Sequence, residues 1–179
     1  MDNWKDLTNS MVNAFDKRNQ KKLRKINDEL LKASVVGFTK ILYQLAVLSY
    51  VLSKIISKPR FLRKENEDKL RIVAQSLQNI TKAQNEDEGV LACNAVHEAI
   101  KSLEKDDPRF LTDLVTKGRL KIAATVYAQG VSLGTASEMT GMDKQEIMDY
   151  AGKTMMFDRV KDEKSVEERV TFARKLIRR

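Results

Sequence analysis

Residues 131–152 read VSLGTASEMTGMDKQEIMDYAG, and no other stretch of the chain predicts so definite a shape. Ser132 suits the N-cap of a short helix, and Gly141 suits the sharp turn that follows it. A second helix is predicted to start at Asp143, with Glu146 in the position that completes a capping box. Two short helices that cross steeply at a glycine form a helix-turn-helix.

The apolar positions around this turn are spaced for a three-helix core. Each short helix presents an apolar pair, the turn presents a methionine, and the preceding helix presents two aliphatic residues. In chain order, the residues predicted to face inward are Ile122, Val126, Ala136, Met139, Met142, Ile147 and Tyr150.

The run Ser-Leu-Gly-Thr-Ala-Ser-Glu-Met-Thr-Gly-Met, residues 132–142, resembles the helix-turn-helix core of bacterial and archaeal regulators and small antitoxins. A pattern common in that family is Ser-Leu-Gly-x-Ala-Ala-Glu-Leu-x-Gly-hydrophobic, and Ser137 stands where the family has its second alanine. The resemblance extends over residues 119–153, roughly a fifth of the chain.

The resemblance implies that the second helix, from Asp143 to about Lys153, enters the major groove of DNA. Lys144, Gln145 and Lys153 then contact bases or phosphates. The same helix carries three carboxylates, which phosphates repel, and it has no arginine to read guanine. These departures from the family leave a second interpretation open, in which the helix-turn-helix contacts a protein.

Composition predicts an all-α protein. The 179 residues are 42% hydrophobic and 32% charged, enough for one good-sized core or two small ones. Only 7 Gly and 2 Pro are present, and aromatic residues make up 6% of the chain. Sandwiches and barrels need many turns and aromatic-rich strands, so this composition disfavours them.

Helical periodicity and end signals place the remaining helices. A loop is predicted at residues 85–89. Four predicted helices run from Trp4 to Leu31, through the apolar stretch to about Ser57, from Asn66 to Gln84 and from Val90 to Leu103. A fifth starts at Asp107-Pro108 and breaks or bends near Gly118. A last helix runs from the capping box of Ser165 and Glu168 to about Ile177.

The apolar stretch, residues 35–56, is the segment whose length suits a membrane span. Its charge-free centre, from Ile41 to Ser53, has only 13 residues, short of the roughly 20 that a span needs. We therefore expect a helix buried in a bundle, and no membrane contact. The N-terminus lacks the apolar region of a signal peptide, which indicates a cytoplasmic protein.

The chain divides into three predicted segments. Residues 1–116 form a helical bundle for oligomerisation or docking, residues 117–155 the helix-turn-helix, and residues 156–179 a basic helical tail. The net charge is +8, which favours an anionic partner. The first two predicted helices carry more apolar surface than one small helical hairpin can bury, so we expect a homodimer.

A basic segment lies near the N-terminus, with six cations in the nine residues 17–25. On a helix they spread over a broad face that suits a phosphate backbone, although an ordinary solvated helix face has the same composition. No aromatic residue is interleaved to stack on bases, so single-strand recognition is disfavoured. The cations are Lys17, Arg18, Lys21, Lys22, Arg24 and Lys25.

No pattern in the chain matches a known catalytic motif. A helical zinc protease needs a second histidine four residues after the first, and Lys101 stands four residues after His97. Helical toxin RNases carry an arginine shortly before a histidine, and residues 91–94 contain none. Cys93 lies one turn from His97 without a third partner, and the acidic residues 86–88 lack the spacing of a calcium loop. We predict no catalytic residue, metal or cofactor.

The sequence thus predicts a non-enzymatic nucleic-acid-binding protein, with duplex DNA favoured over RNA, and more finely a prokaryotic transcription regulator. Two alternatives remain open. The first is a protein–protein adaptor or antitoxin-like partner that uses the helix-turn-helix as a contact module. The second is an RNA-associated or ribosome-associated factor, for which general basicity matters more than a recognition helix.

Overall fold

The computed structural model describes residues 3–103, 108–159 and Arg174, and every regular element in those ranges is helical. The all-α prediction is therefore confirmed. Two short 3₁₀ turns, Pro59–Leu62 and Lys64–Asn66, follow the third helix. The helices are α1 (Asn3–Asp16), α2 (Gln20–Val36), α3 (Lys40–Ile56), α4 (Glu67–Thr81), α5 (Glu86–Lys101), α6 (Pro108–Ala128), α7 (Leu133–Thr140), α8 (Lys144–Lys153) and α9 (Met156–Arg159).

Helix α3 is the centre of the N-terminal bundle, where it packs against α1, α2, α5 and α6. Twelve of its residues are buried, because its apolar side chains surround the helix rather than line one face. Asn27 of α2 fixes the neighbouring helix, since its amide donates to the Ala46 carbonyl at 2.7 Å and to the Ser49 hydroxyl at 3.0 Å. The prediction of a buried helix is confirmed. In the described ranges, no helix combines the length and apolarity that crossing a membrane requires.

The N-terminal region forms two helices, so the predicted single helix from Trp4 to Leu31 is wrong. Arg18 adopts a left-handed conformation with φ of 51°, which interrupts the helical hydrogen bonds. Asn19 then caps α2, because its side chain accepts from the Lys22 amide at 3.0 Å. The cap lies within a run of cations whose periodicity matches a helix on both sides, which is why the pattern concealed the break.

Residues 86–88 form the first turn of α5, so the predicted loop at 85–89 is wrong. Asn85 is the N-cap, and its side chain accepts from the Glu88 amide at 2.9 Å. The three carboxylates of this turn favour a helix start, since the N-terminal end of the helix dipole is positive. Gly89 is buried against Ile41 and Trp4, and this close packing explains a glycine inside a helix.

Helix α6 is unbroken from Pro108 to Ala128, so the predicted break near Gly118 is wrong. Gly118 faces α3, and a Cβ atom there would lie 3.1 Å from Tyr50 Cδ1 and 3.5 Å from Val47 Cγ1. The glycine therefore permits a close approach of two helices, a role that its sequence neighbours do not reveal.

We expect Gly118→Leu to lower the free energy of unfolding by about 1–3 kcal/mol, because the new side chain must displace Tyr50 and Val47. The matched control is Gly152→Ala in α8, where nothing lies within 4 Å of the added Cβ. That change should raise stability by about 0.5–1 kcal/mol through helix propensity. Urea unfolding of the three proteins measures both effects, and destabilisation of equal size by the two changes would contradict this packing.

Two apolar clusters share α6. Ile122 packs into the large core built from α1 to α6, whereas Ala123 and Ala124 pack into a small core with α7, α8 and Met156. The predicted place of Ile122 in the three-helix core is therefore wrong; Val126, predicted beside it, is buried. Successive helical residues point about 100° apart, so adjacent positions of one helix can serve different cores.

The apolar faces of α1 and α2 are buried within the single chain. Phe15, Leu23 and Leu30 have no exposed surface, because α1 and α2 pack on α3 and on each other. The reason for expecting a homodimer is therefore gone, and the oligomeric state stays a prediction.

Three predicted features lie outside the described residues, Arg174 excepted. They are the helix start at Asp107, the capping box of Ser165 and Glu168, and the basic tail beyond Arg159.

Candidate nucleic-acid interface

Helices α7 and α8 lie where the sequence predicts them, and their ends are capped as expected. The Ser132 hydroxyl accepts from the Thr135 amide at 3.1 Å. Gly141 ends α7 in the left-handed conformation, with φ 70° and ψ 13°, which glycine adopts without steric cost. Asp143 Oδ1 then accepts from the Gln145 amide at 2.8 Å and from the Glu146 amide at 3.2 Å. The predicted helices and the turn between them are confirmed.

The interior of this unit differs from the prediction at one position of α7. Ala136 and Thr140, one turn apart, are the buried residues of that helix, while Met139 is only partly buried and packs outside the small core. The Thr140 hydroxyl is satisfied by the Ala136 carbonyl at 2.6 Å, so a polar residue fits this interior position. The predicted inward direction of Met139 is therefore wrong.

Ser137 has a structural role in the turn. Its hydroxyl donates to the Met142 carbonyl at 2.7 Å and so ties α7 to the segment that leads into α8. This side chain therefore stabilises the turn by a hydrogen bond that spans it.

The outward face of α8 presents Lys144, Gln145, Met148, Asp149 and Lys153, all exposed. The Gln145 side chain is engaged on its own helix, since its Nε2 donates to Asp149 Oδ1 at 2.8 Å. This bond uses one of the two Nε2 hydrogens and fixes the orientation of the amide that a base would meet. Lys144 and Lys153 stand at opposite ends of the helix, roughly 13 Å apart along its axis.

All six cations of the basic segment are exposed. Arg18 lies in the α1–α2 turn, where its guanidinium stacks over the Phe15 ring at 5.2 Å. In the described part of the chain, none of the six forms an ion pair, although Asp28 and Glu29 follow Arg24 and Lys25 by one turn. Their charges are therefore directed to solvent rather than neutralised within the fold.

Two further cations, which the sequence interpretation missed, join Arg18 in space. Arg63 and Lys64 line a cleft of about 270 Å³ together with Arg18. They come from the segment after α3. The last turn of α3 is joined to the start of α2, since Gln20 Nε2 donates to the Ser53 carbonyl at 3.1 Å. The sequence signal was the density of cations in residues 58–64, four in seven residues.

The predicted site residues therefore form two groups on different helices. Lys144, Gln145 and Lys153 lie on α8, which packs against α6, α7 and α9. The basic segment lies on α2 and the turn before it, and α2 packs against α1, α3 and α6. Helix α6 is thus the common support of both surfaces.

Cys93 and His97, whose side chains could in principle act as a nucleophile and a base, are buried on α5. Burial raises the pKa of the Cys93 thiol to about 12, so the thiol is protonated and unreactive near neutral pH. Burial, and next the charge of Arg119, lower the pKa of His97 to about 4, so its imidazole is neutral near pH 7. In the ranges that the structure describes, no three metal-ligating side chains cluster.

No family model, curated protein or solved structure matches this chain.

Proposed function

We propose that this chain is a non-enzymatic nucleic-acid-binding protein that contacts phosphates through a basic surface on α2 and the turns beside it. The single observation that carries the proposal is the exposure of Lys17, Arg18, Lys21, Lys22, Arg24 and Lys25 without an ion pair to any described residue. A cationic surface of this kind gains affinity for nucleic acid by releasing the counterions of the phosphates it neutralises.

The helix-turn-helix geometry favours duplex DNA as the partner. A two-helix unit with an exposed second helix suits the width of the major groove, and α8 is exposed along its outer side. Direct reading of bases by α8 is the weaker part of the proposal, because the carboxylates of Glu146 and Asp149 offset the two lysines of the helix. In addition, Gln145 is bonded to Asp149. Regulation of transcription is the finer role that such binding supports.

The test is a fluorescence titration of random duplex DNA and of a structured RNA hairpin at several salt concentrations. We expect Lys21→Gln combined with Lys25→Gln to reduce the salt slope by about two, because each phosphate contact contributes about one. The control removes the same number of charges from α4 and its C-cap, as Arg71→Gln with Lys82→Gln. This control should leave the slope unchanged.

The contribution of α8 is separated by Lys144→Ala combined with Gln145→Ala. Loss of preference for one selected DNA sequence supports base reading by α8, whereas an unchanged preference assigns the affinity to the basic surface alone. Absence of binding to either nucleic acid at low salt would refute the proposal.

A protein-contact role for the helix-turn-helix is the second candidate, and the apolar groups beside α8 favour it. Met148 on α8 is 43% exposed, and Met155 and Phe157, which follow the helix, are 67% and 52% exposed. Exposed methionines and aromatic residues are typical of protein-binding surfaces.

A further inference from the structure

A cleft of about 250 Å³ lies between α5 and α6 and takes no part in the proposed nucleic-acid contacts. Asn94, His97 and Lys101 line it from α5, and Val115, Thr116 and Arg119 line it from α6. The wall therefore combines cations and hydrogen-bonding groups with the apolar side chain of Val115. Most of the lining side chains are polar or charged, so the cleft suits a small ligand that carries a polar or charged group.

Arg119 is the unusual group of this cleft. Its Nε atom is shielded from solvent and has no hydrogen-bond partner, and the side chain is only partly exposed. Within the described ranges, Arg119 forms no ion pair. Shielding part of a guanidinium from water without an opposing charge costs solvation free energy, so the position favours the arrival of an anion.

Two more polar atoms near Arg119 are shielded and unpartnered. They are His97 Nε2, in a side chain only 6% exposed, and the hydroxyl oxygen of Tyr43 from α3. The charge of Arg119 acts on both groups. In His97 it lowers the pKa in the same direction as burial, which is the larger cause. In Tyr43 it also lowers the pKa, but burial raises that pKa by more. Unsatisfied polar groups of α3 and α5 thus lie within electrostatic range of Arg119 on α6.

The charges around the cleft determine the kind of anion that fits. Lys101 Nζ lies 2.7 Å from Glu98 Oε1, so these two charges compensate each other at the rim. Arg119 remains as one uncompensated cation. A ligand with a single negative charge therefore balances the site, whereas a phosphate dianion does not.

We propose that the cleft between α5 and α6 binds a small organic monocarboxylate. The guanidinium of Arg119 offers paired donors in the geometry of a carboxylate. The His97 side chain lines the same wall, and Val115 contacts the carbon chain of the ligand. A water occupies about 30 Å³ of liquid, so the cleft admits a short carbon chain as well as the carboxylate. The proposal does not depend on nucleic-acid binding.

The imidazole of His97 is the reporter for the test, because the chain has one histidine and therefore one set of imidazole NMR signals. Sodium butyrate, sodium acetate and sodium phosphate are titrated at pH 8, where phosphate is mainly a dianion, with sodium chloride at matched ionic strength. We expect a saturable shift of the His97 signals with butyrate, weaker binding of acetate, which lacks most of the apolar part, and no saturation with chloride.

Arg119→Gln should weaken butyrate binding about tenfold or more, since a hydrogen bond to a charged group is lost. The control Arg71→Gln removes an exposed arginine of α4 that is paired with Asp68, and it should bind butyrate as the parent does. Thermal melts establish that each variant is folded, and Arg119→Lys, which keeps the charge, should bind with intermediate affinity. An unshifted His97 signal, equal shifts in the Arg119→Gln protein, or tighter binding of phosphate than of butyrate would each overturn the proposal.

Discussion

Leu48→Ala is expected to lower the free energy of unfolding by about 3–5 kcal/mol. Leu48 lies on α3, the helix that contacts four others, and its side chain has no exposed surface. Truncation removes its transfer free energy and also leaves a cavity that the surrounding helices cannot fully close. A loss of this size is a large fraction of the stability of a chain of this length.

Urea unfolding, followed by circular dichroism, measures this loss. The control is Leu91→Ala on α5, where the leucine is 68% exposed, and this change should cost less than about 0.5 kcal/mol. A loss below about 1 kcal/mol for Leu48→Ala would show that α3 is not the centre of the core.

The second large effect is the pH dependence that His97 gives to stability. Its pKa is about 4 in the folded chain, against 6.5 for a free imidazole, because burial and the charge of Arg119 disfavour the cation. Between these values the unfolded chain binds a proton that the folded chain does not, so stability falls as pH falls from 6.5 to 4. The loss from this group amounts to about 3 kcal/mol, and it levels off below pH 4.

His97→Gln separates this effect from the titration of the carboxylates, because glutamine does not titrate and the carboxylates are common to both proteins. The advantage of the parent over the variant should shrink by about 3 kcal/mol between pH 7.5 and pH 4. The measurement requires piperazine-type buffers, so that no carboxylate or phosphate occupies the α5–α6 cleft. Parallel stability curves for the two proteins would contradict the burial of His97.

Local signals were sufficient for the helix-turn-helix. Ser132, Gly141 and Asp143 act on the backbone within three or four residues, so their roles are readable from the chain alone. The same holds for the buried α3, whose apolar residues surround the helix and leave no solvated face. The all-α fold and the positions of these elements were therefore determined by the sequence itself.

Other features depended on which helix lies opposite a given residue, and only the tertiary structure decided them. The sequence around Gly118 predicted a break in the helix. In the fold, Gly118 lies against Tyr50, so it is the point where α6 packs closely on α3. Arg63 and Lys64 joined Arg18 only because the end of α3 meets the start of α2. Likewise, Arg119 and His97 lie 22 positions apart, and a periodic pattern within one helix carries no information about a partner on another.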